Sequence, residues 1–257
     1  MKKIVIVSDT HCGSVYGLTP PSQFTTHHKK IQLESWKAYQ QMTQAWANPD
    51  ILVINGDAIE GSQSKQGSAE LITPDRNVQA QMAVECAKEW KPKQIFMTYG
   101  TAYHVGEKAE DFEFTIANTL NEKIPTVIEG RLFLEIEGMT FDVRHKVGTS
   151  GIPHGRATAL LKEMMWDLIE EAKGNGPKVD IIIRSHAHYH IWVEDPEKTM
   201  IITPGLQLKR GRYGTRECQG EIHWGAIRLT IDKGQIINKE KMIWRLKANQ
   251  PRIFTIK

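Results

Sequence analysis

Residues 3–14, KIVIVSDTHCGS, decide how the rest of the chain is read. Ile4 to Val7 form an apolar run rich in β-branched residues, the composition of a buried strand that starts almost at the first residue. Lys2 and Lys3 ahead of it imitate a signal peptide. The run is too short for one, because Ser8 and Asp9 interrupt it at once. Directly after the strand stand Asp9 and His11, two metal-capable side chains in an Asp-x-His spacing.

Outward from this stretch, short apolar runs alternate with amphipathic ones. Residues 31–47 predict a helix and 50–56 a second strand, which ends on Gly56-Asp57. Thr73 and Pro74 read as the cap and first turn of a helix through 77–90, since Pro loses nothing there by lacking an N–H. A third strand over 93–100 and a helix over 110–120 follow. Strands alternating with helices imply parallel crossovers and an α/β fold.

The second half is richer in strands. Residues 131–145 predict a hairpin turning at Glu137-Gly138, 155–173 a helix and 179–186 another buried strand. The runs at 190–195, 199–205, 222–231 and 235–244 predict an antiparallel meander. Residues 12–30 and 205–221 are polar or Gly-rich and predict loops over one edge. No repeat or linker divides the 257 residues, so one domain over 1–257 is expected.

The polar residues gather at the strand ends. Asp9 and His11 follow the first strand, Asp57 the second, His104 the third; His145 ends the hairpin, and His186 and His188 follow IIIRS. Loops beyond the carboxyl ends of strands in an α/β sheet converge on one crevice, so these side chains are expected to meet. Two carboxylates with several imidazoles suit Mn, Fe, Zn or Ni better than Ca. A carboxylate shared by two cations, with Asp57 the candidate, would set them at the spacing used in two-metal phosphoryl chemistry.

SDTHCGS, NGDAIEG, the later His145 and SHAHYH, in that order, resemble the motif series of the calcineurin-like metallophosphoesterases. The resemblance runs from residue 4 to about residue 205. It implies a four-layer α/β/β/α sandwich with mixed sheets and two divalent metal ions, Mn foremost. By the same resemblance Asp9, His11 and His188 would hold one metal, His145 and His186 the other, and Asp57 would bridge. A hydroxide between the metals would then attack the phosphorus of a phosphodiester, in a nucleotide or nucleic acid. A phosphomonoesterase or protein phosphatase, and a scaffold that binds metal without catalysis, are the alternatives.

One motif departs. Where the family has Gly-Asn-His, this chain has Gly100-Thr101-Ala102-Tyr103-His104, so Thr101 replaces a ligating Asn and the histidine lies two residues on. A threonine hydroxyl is a poor ligand for these metals. The preferred reading keeps His104 as the catalytic residue that protonates the leaving oxygen; the other makes it a metal ligand. Altered loops of this kind resemble those of phage and prophage members.

Other features carry less. LKRGRYGTR supplies Arg210, Arg212 and Tyr213 as candidate substrate contacts, Arg for phosphate and Tyr for stacking on a base, along with Lys209 and Arg216. His27 and His28 read as solvated, His154 as a helix entry, and His190 as a neighbour of the ligands rather than one of them. Trp36, Trp46 and Trp166 fall at helical positions and read as core.

Composition sets the outer bounds. Hydrophobic residues at 40% and charged residues at 25%, with no apolar run near membrane-spanning length, fit a soluble protein without membrane contact. Three scattered cysteines, Cys12, Cys86 and Cys218, suggest neither a disulfide framework nor a thiolate zinc site, which fits the cytoplasm. The net charge of +3 is too small to diagnose nucleic-acid binding, though it does not oppose an anionic phosphate-ester substrate. Nothing fixes the oligomeric state.

Overall fold

The computed structural model describes residues 1–106, 111–209, 211–216, 220–250, 253, 255 and 256, without the side chains of Arg212 and Tyr213. Its strands are β1 (Lys2–Val7), β2 (Ile51–Asn55), β3 (Gln94–Thr98), β4 (Thr126–Glu129), β5 (Leu132–Ile136), β6 (Met139–Val143), β7 (Ile181–Arg184), β8 (Ile191–Glu194), β9 (Thr199–Ile202), β10 (Trp224–Asp232) and β11 (Gln235–Trp244). The helices are α1 (Lys29–Ala45), α2 (Arg76–Glu89), α3 (Ala102–Val105), α4 (Phe112–Asn121), α5 (Thr158–Ala172) and α6 (Gly211–Arg216).

The strands form a six-stranded sheet in the order β11-β10-β1-β2-β3-β4 and a five-stranded sheet in the order β5-β6-β7-β9-β8. Both sheets are mixed. β1 to β4 run parallel, while β10 lies antiparallel on the outer side of β1. β6, β7 and β9 are parallel to one another, with β5 and β8 antiparallel at the edges.

Side-chain alternation along the strands builds the layers. Ile4 and Ile6 of β1, with Ile51 and Val53 of β2, face Leu134, Phe141, Val143, Ile181 and Ile183 across the space between the sheets. Val5 and Val7 point the other way, into a core with Trp36, Tyr39 and Met42 of α1, Met82 and Cys86 of α2, and Ile116 and Leu120 of α4. On the far side of the second sheet, Ile182, Met200 and Ile202 pack with Leu160 of α5. The result is the α/β/β/α sandwich with mixed sheets. Strands with both faces covered must be apolar throughout, which is why KIVIV, ILVI and IIIR carry almost no alternation.

Three expectations are corrected and one strand is added. The last four strands do not form a meander: β8 and β9 pair in the second sheet, whereas β10 and β11 cross to the first and pair on β1. A strand unforeseen in the sequence, β4, occupies the edge of the first sheet. The cap of α2 is Asp75, whose carboxylate accepts the Asn77 N–H at 2.9 Å, rather than Thr73. Trp36 and Trp46 are core, but Trp166 is 58% exposed on the outer face of α5. Among the described residues, no helix is long and apolar enough to cross a membrane.

Candidate metal centre

At the carboxyl ends of β1 and β2 the two strands stay together beyond the sheet. Asp9 N–H donates to the Gly56 carbonyl at 3.1 Å, His11 N–H to Asp57 O at 3.0 Å and Cys12 N–H to Ala58 O at 3.1 Å. From the second sheet, Ser185 N–H donates to His145 O at 2.8 Å, locking the ends of β6 and β7 in the same way. A buried polar rod joins the two sheets at this end: Thr98 Oγ1 donates to Asn55 Oδ1 at 2.6 Å, and Asn55 Nδ2 to Ser185 Oγ at 2.6 Å.

These loops bring together every sequence-expected ligand. Asp9, Asp57, His145 and His186 place one ligand atom each within 4.8 Å of one another, and so do Asp9, His11 and His188. His11, Asp57 and His104 make a third such group. Asp9 is thus common to the two groups that hold all six expected ligands, and Asp57 links the first to the third. His104 stands beside the cluster, its ring centroid 4.5 Å from that of His11.

Asp9 Oδ1 lies 3.2 Å from His188 Nε2 and 4.0 Å from the Nε2 atoms of His11 and His145. Asp57 Oδ2 lies 3.0 Å from His145 Nε2 and 3.8 Å from His186 Nδ1. His145 Nδ1 sits 2.7 Å from Asn55 O; a carbonyl can only accept, so Nδ1 carries the hydrogen and Nε2 faces the carboxylates. Asp9, His11, Asp57 and His145 are buried floor, while His104, His186 and His188 are 17%, 32% and 19% exposed. Access is therefore from the side of these three histidines.

Two features set this cluster apart from an ordinary buried polar network. Asp9, His11, Asp57, His186 and His188 all have left-handed backbone, with φ of 52°, 44°, 50°, 69° and 52°. For non-glycine residues that conformation costs roughly 1–2 kcal/mol each, and such strain gathers at functional sites. In addition, Asp9 Oδ1, His11 Nε2 and His186 Nδ1 are buried without a hydrogen bond. An oxygen and two ring nitrogens lacking partners in one place form the donor set a divalent cation takes.

The electrostatics agree. Burial alone would raise the Asp9 and Asp57 carboxyls, but the facing imidazoles outweigh it, His188 for Asp9 and His145 for Asp57, and hold both below the ordinary range. Burial alone would lower His145; Asp57 and Asp9 instead lift it to about 10. The cluster is a cation-seeking field.

Two buried glutamates support the site. Glu60 Oε2 lies 2.9 Å from His11 Nδ1, and the Glu60 carbonyl is 2.8 Å from His104 Nδ1, so the 57–60 loop orients both rings. Glu113, on α4, accepts Ala58 N–H at 2.9 Å and Gly100 N–H at 2.6 Å, tying together the loops after β2 and β3. Burial pushes its carboxyl up to about 8. Neither glutamate was singled out from the sequence.

Among the remaining expectations, Arg210 and the side chains of Arg212 and Tyr213 lie outside the described residues. The 205–221 segment is not all loop, since α6 occupies part of it. His190 hydrogen-bonds the Ile202 carbonyl through Nδ1 at 2.9 Å, His27 is exposed, and His154 sits in a 3-10 turn ahead of α5.

No protein-family model matches the chain, and no curated protein does. Among solved structures, it is similar to an archaeal phosphodiesterase at 13% identity and TM-score 0.46, over 94% of this chain and 99% of that one. Vps29 of Entamoeba histolytica in complex with zinc gives 12% and 0.43, over 94% and 98%. A predicted phosphoesterase of Streptococcus pneumoniae gives 11% and 0.40, over 95% and 98%. Scores of this size add no weight to the reading of the site, which rests on its geometry.

Proposed function

We propose that the chain is a metal-dependent phosphoesterase, acting on phosphodiesters, with one divalent metal held by Asp9, His11 and His188, a second by His145 and His186, and Asp57 shared between them. The observation that carries this is the set of buried donor atoms without partners on Asp9, His11 and His186, three of the five left-handed residues that gather here. When bound, two adjacent cations supply charge neutralisation to a phosphoryl group and activate water near neutral pH. Carboxylate and imidazole without thiolate suits Mn, with Fe, Zn and Ni as alternatives. Cys12 does not join the set: its Sγ faces Cys86 Sγ at 4.0 Å.

The chain's own residues do the rest. His104, 17% exposed and held through Nδ1 by the Glu60 carbonyl, would give a proton to the leaving oxygen. Thr101 clamps Asp57 by donating its N–H and its hydroxyl to Oδ1. The ionic neighbours of Asp9 and Asp57 are imidazoles; among the described residues no Lys or Arg pairs with either. This favours a diester, which carries less negative charge than a monoester at neutral pH.

Turnover of bis-p-nitrophenyl phosphate against p-nitrophenyl phosphate, with Mn2+ and after chelation, tests the reading. Mn2+-dependent hydrolysis favouring the diester, abolished in Asp9→Ala, is expected. Metal binding without turnover of either ester would support a metal-binding scaffold instead.

A further inference from the structure

Helix α5 carries its charges on the side where a surface helix normally carries its apolar stripe. A helix that covers a sheet sets apolar residues on the sheet and charged ones in solvent. In α5 the carboxylates turn inward instead. Glu163 accepts Arg184 Nε at 2.9 Å and also pairs with Arg144, Asp167 accepts Lys198 Nζ at 2.6 Å, and Glu170 accepts Arg131 Nη1 at 2.7 Å. Arg131 and Lys198 stand just before β5 and β9, Arg144 just after β6 and Arg184 within β7, so every partner belongs to the second sheet. Leu160 is the one apolar residue that α5 fully buries.

The outward side is apolar. Leu161, Met165, Trp166 and Leu168 are 42%, 54%, 58% and 36% exposed, and Ala172 is exposed beyond them. Single apolar residues on a surface need no explanation, but these are contiguous. Leu161, Met165, Leu168 and Ala172 recur at intervals of four, three and four residues, the spacing of a seam along which one helix packs on another. At roughly 200 Å² for a large side chain, the four exposures leave on the order of 400 Å² of apolar surface. A standard interface buries about 800 Å² on each partner, somewhat over half of it apolar, so the stripe supplies an interface core of ordinary size.

The spacing fits a second copy of the same helix. A two-fold axis crossing α5 beside Trp166 sets Met165 of one copy against Leu168 of the other, and Leu161 against Ala172. The stripe is thus its own complement. It is the crest of a helix rather than a cavity, which does not suit a small ligand. Lys162 and Lys173, exposed near the two ends, fall at the rim of such a pair, where solvent and salt screen like charges.

We infer that α5 is the interface of a homodimer, its outward stripe packed antiparallel on the α5 of a second copy. The inference goes beyond the phosphoesterase reading and uses none of the residues assigned to the metal centre.

The test is the mass of the full chain by analytical ultracentrifugation over a series from low to high micromolar concentration. The unmodified protein should pass from monomer to dimer as the concentration rises. Met165→Glu and Trp166→Glu each place a charge in the middle of the stripe and should hold the chain at monomer mass throughout, with circular dichroism showing the fold retained. Leu161→Glu, one turn away, serves if either variant fails to fold. An unmodified protein that stays monomeric, or a dimer that persists in the folded variants, would overturn the proposal. In the first case, sedimentation with phosphatidylglycerol vesicles that is lost in Trp166→Glu would assign the face to an anionic lipid surface instead.

Discussion

Thr101 donates to Asp57 twice, through its backbone N–H to Oδ1 at 2.7 Å and through its hydroxyl at 3.1 Å. The residue that replaces a ligating Asn thus binds the carboxylate that would hold the metals. Hydrogen bonds to a charged acceptor contribute about 1.5–3 kcal/mol, and groups that orient a ligand typically change metal affinity by roughly 10–100-fold. Thr101→Val keeps the N–H and the shape but loses the hydroxyl. Mn2+ affinity by calorimetry should fall within that range; an unchanged value would show that the N–H alone fixes Asp57.

His104 separates the proton donor from the ligand. His104→Ala should lower the turnover of bis-p-nitrophenyl phosphate by on the order of 10²–10⁴-fold, the contribution of a positioned acid, with metal content by mass spectrometry unchanged. Loss of one metal per chain would instead place His104 with His11 and Asp57 as a ligand set.

Gly100 leaves no room for a side chain. A Cβ there would stand 2.2 Å from Asp57 Oδ1 and 2.3 Å from Asp57 N. Gly100→Ala must therefore push the 57 loop away, at a cost of about 1–3 kcal/mol for overpacking. Lower thermal stability together with loss of Mn2+ binding is the expected pair of results, read by calorimetric unfolding and metal titration. Retained binding would mean that the loop gives way without moving the carboxylate.

Asp142 contributes to the acid side of the stability profile away from the metal centre. It is fully buried and bonded to Arg131 Nε at 2.9 Å and to Arg184 Nη2 at 2.5 Å. Burial works to raise its carboxyl, but the two guanidiniums, Arg184 foremost, outweigh that and hold it below its ordinary 3.8. A carboxyl lowered on folding adds stability that is fully present above pH 3.8 and lost as the pH falls through the folded value. Asp142→Asn leaves Arg184, 1% exposed, with the Glu163 carboxylate at 2.9 Å as its remaining counter-charge, and should cost about 3–5 kcal/mol at pH 7 by urea unfolding. The deficit should shrink below pH 3; a constant one would assign the acid loss to other carboxylates.

The site was legible because each candidate ligand sits just past an apolar run, and such runs are read easily when both faces of a strand are buried. The supports were not. Glu113 lies in an amphipathic helix, where a charged residue reads as solvent-facing, and its partners are backbone N–H groups that no side-chain pattern announces. Glu60 lies in the loop after β2, and its carboxylate meets His11, Gln63 and Gln207, two of them from distant segments that no local spacing announces. Thr101 was judged by its chemistry as a ligand, whereas its part is to hold Asp57. β4 is short and half-exposed between Pro125 and Gly130, so it has little periodicity to detect. The final hairpin misled because antiparallel runs in sequence say who pairs within the hairpin, not which sheet receives it. Trp166 sits at a helical spacing, yet α5 buries only Leu160 and Asp167 among its residues.

The placement of β10 against β1 also governs how the chain is made. β1 emerges first, yet its antiparallel neighbour begins at Trp224, which at about 5–20 residues per second follows roughly 10–40 s later. Until then KIVIV, a sticky apolar strand, has one edge open to other growing chains. A product that stops before residue 224 keeps that edge open permanently, and aggregation on the ribosome's timescale is the hazard that the last hairpin closes.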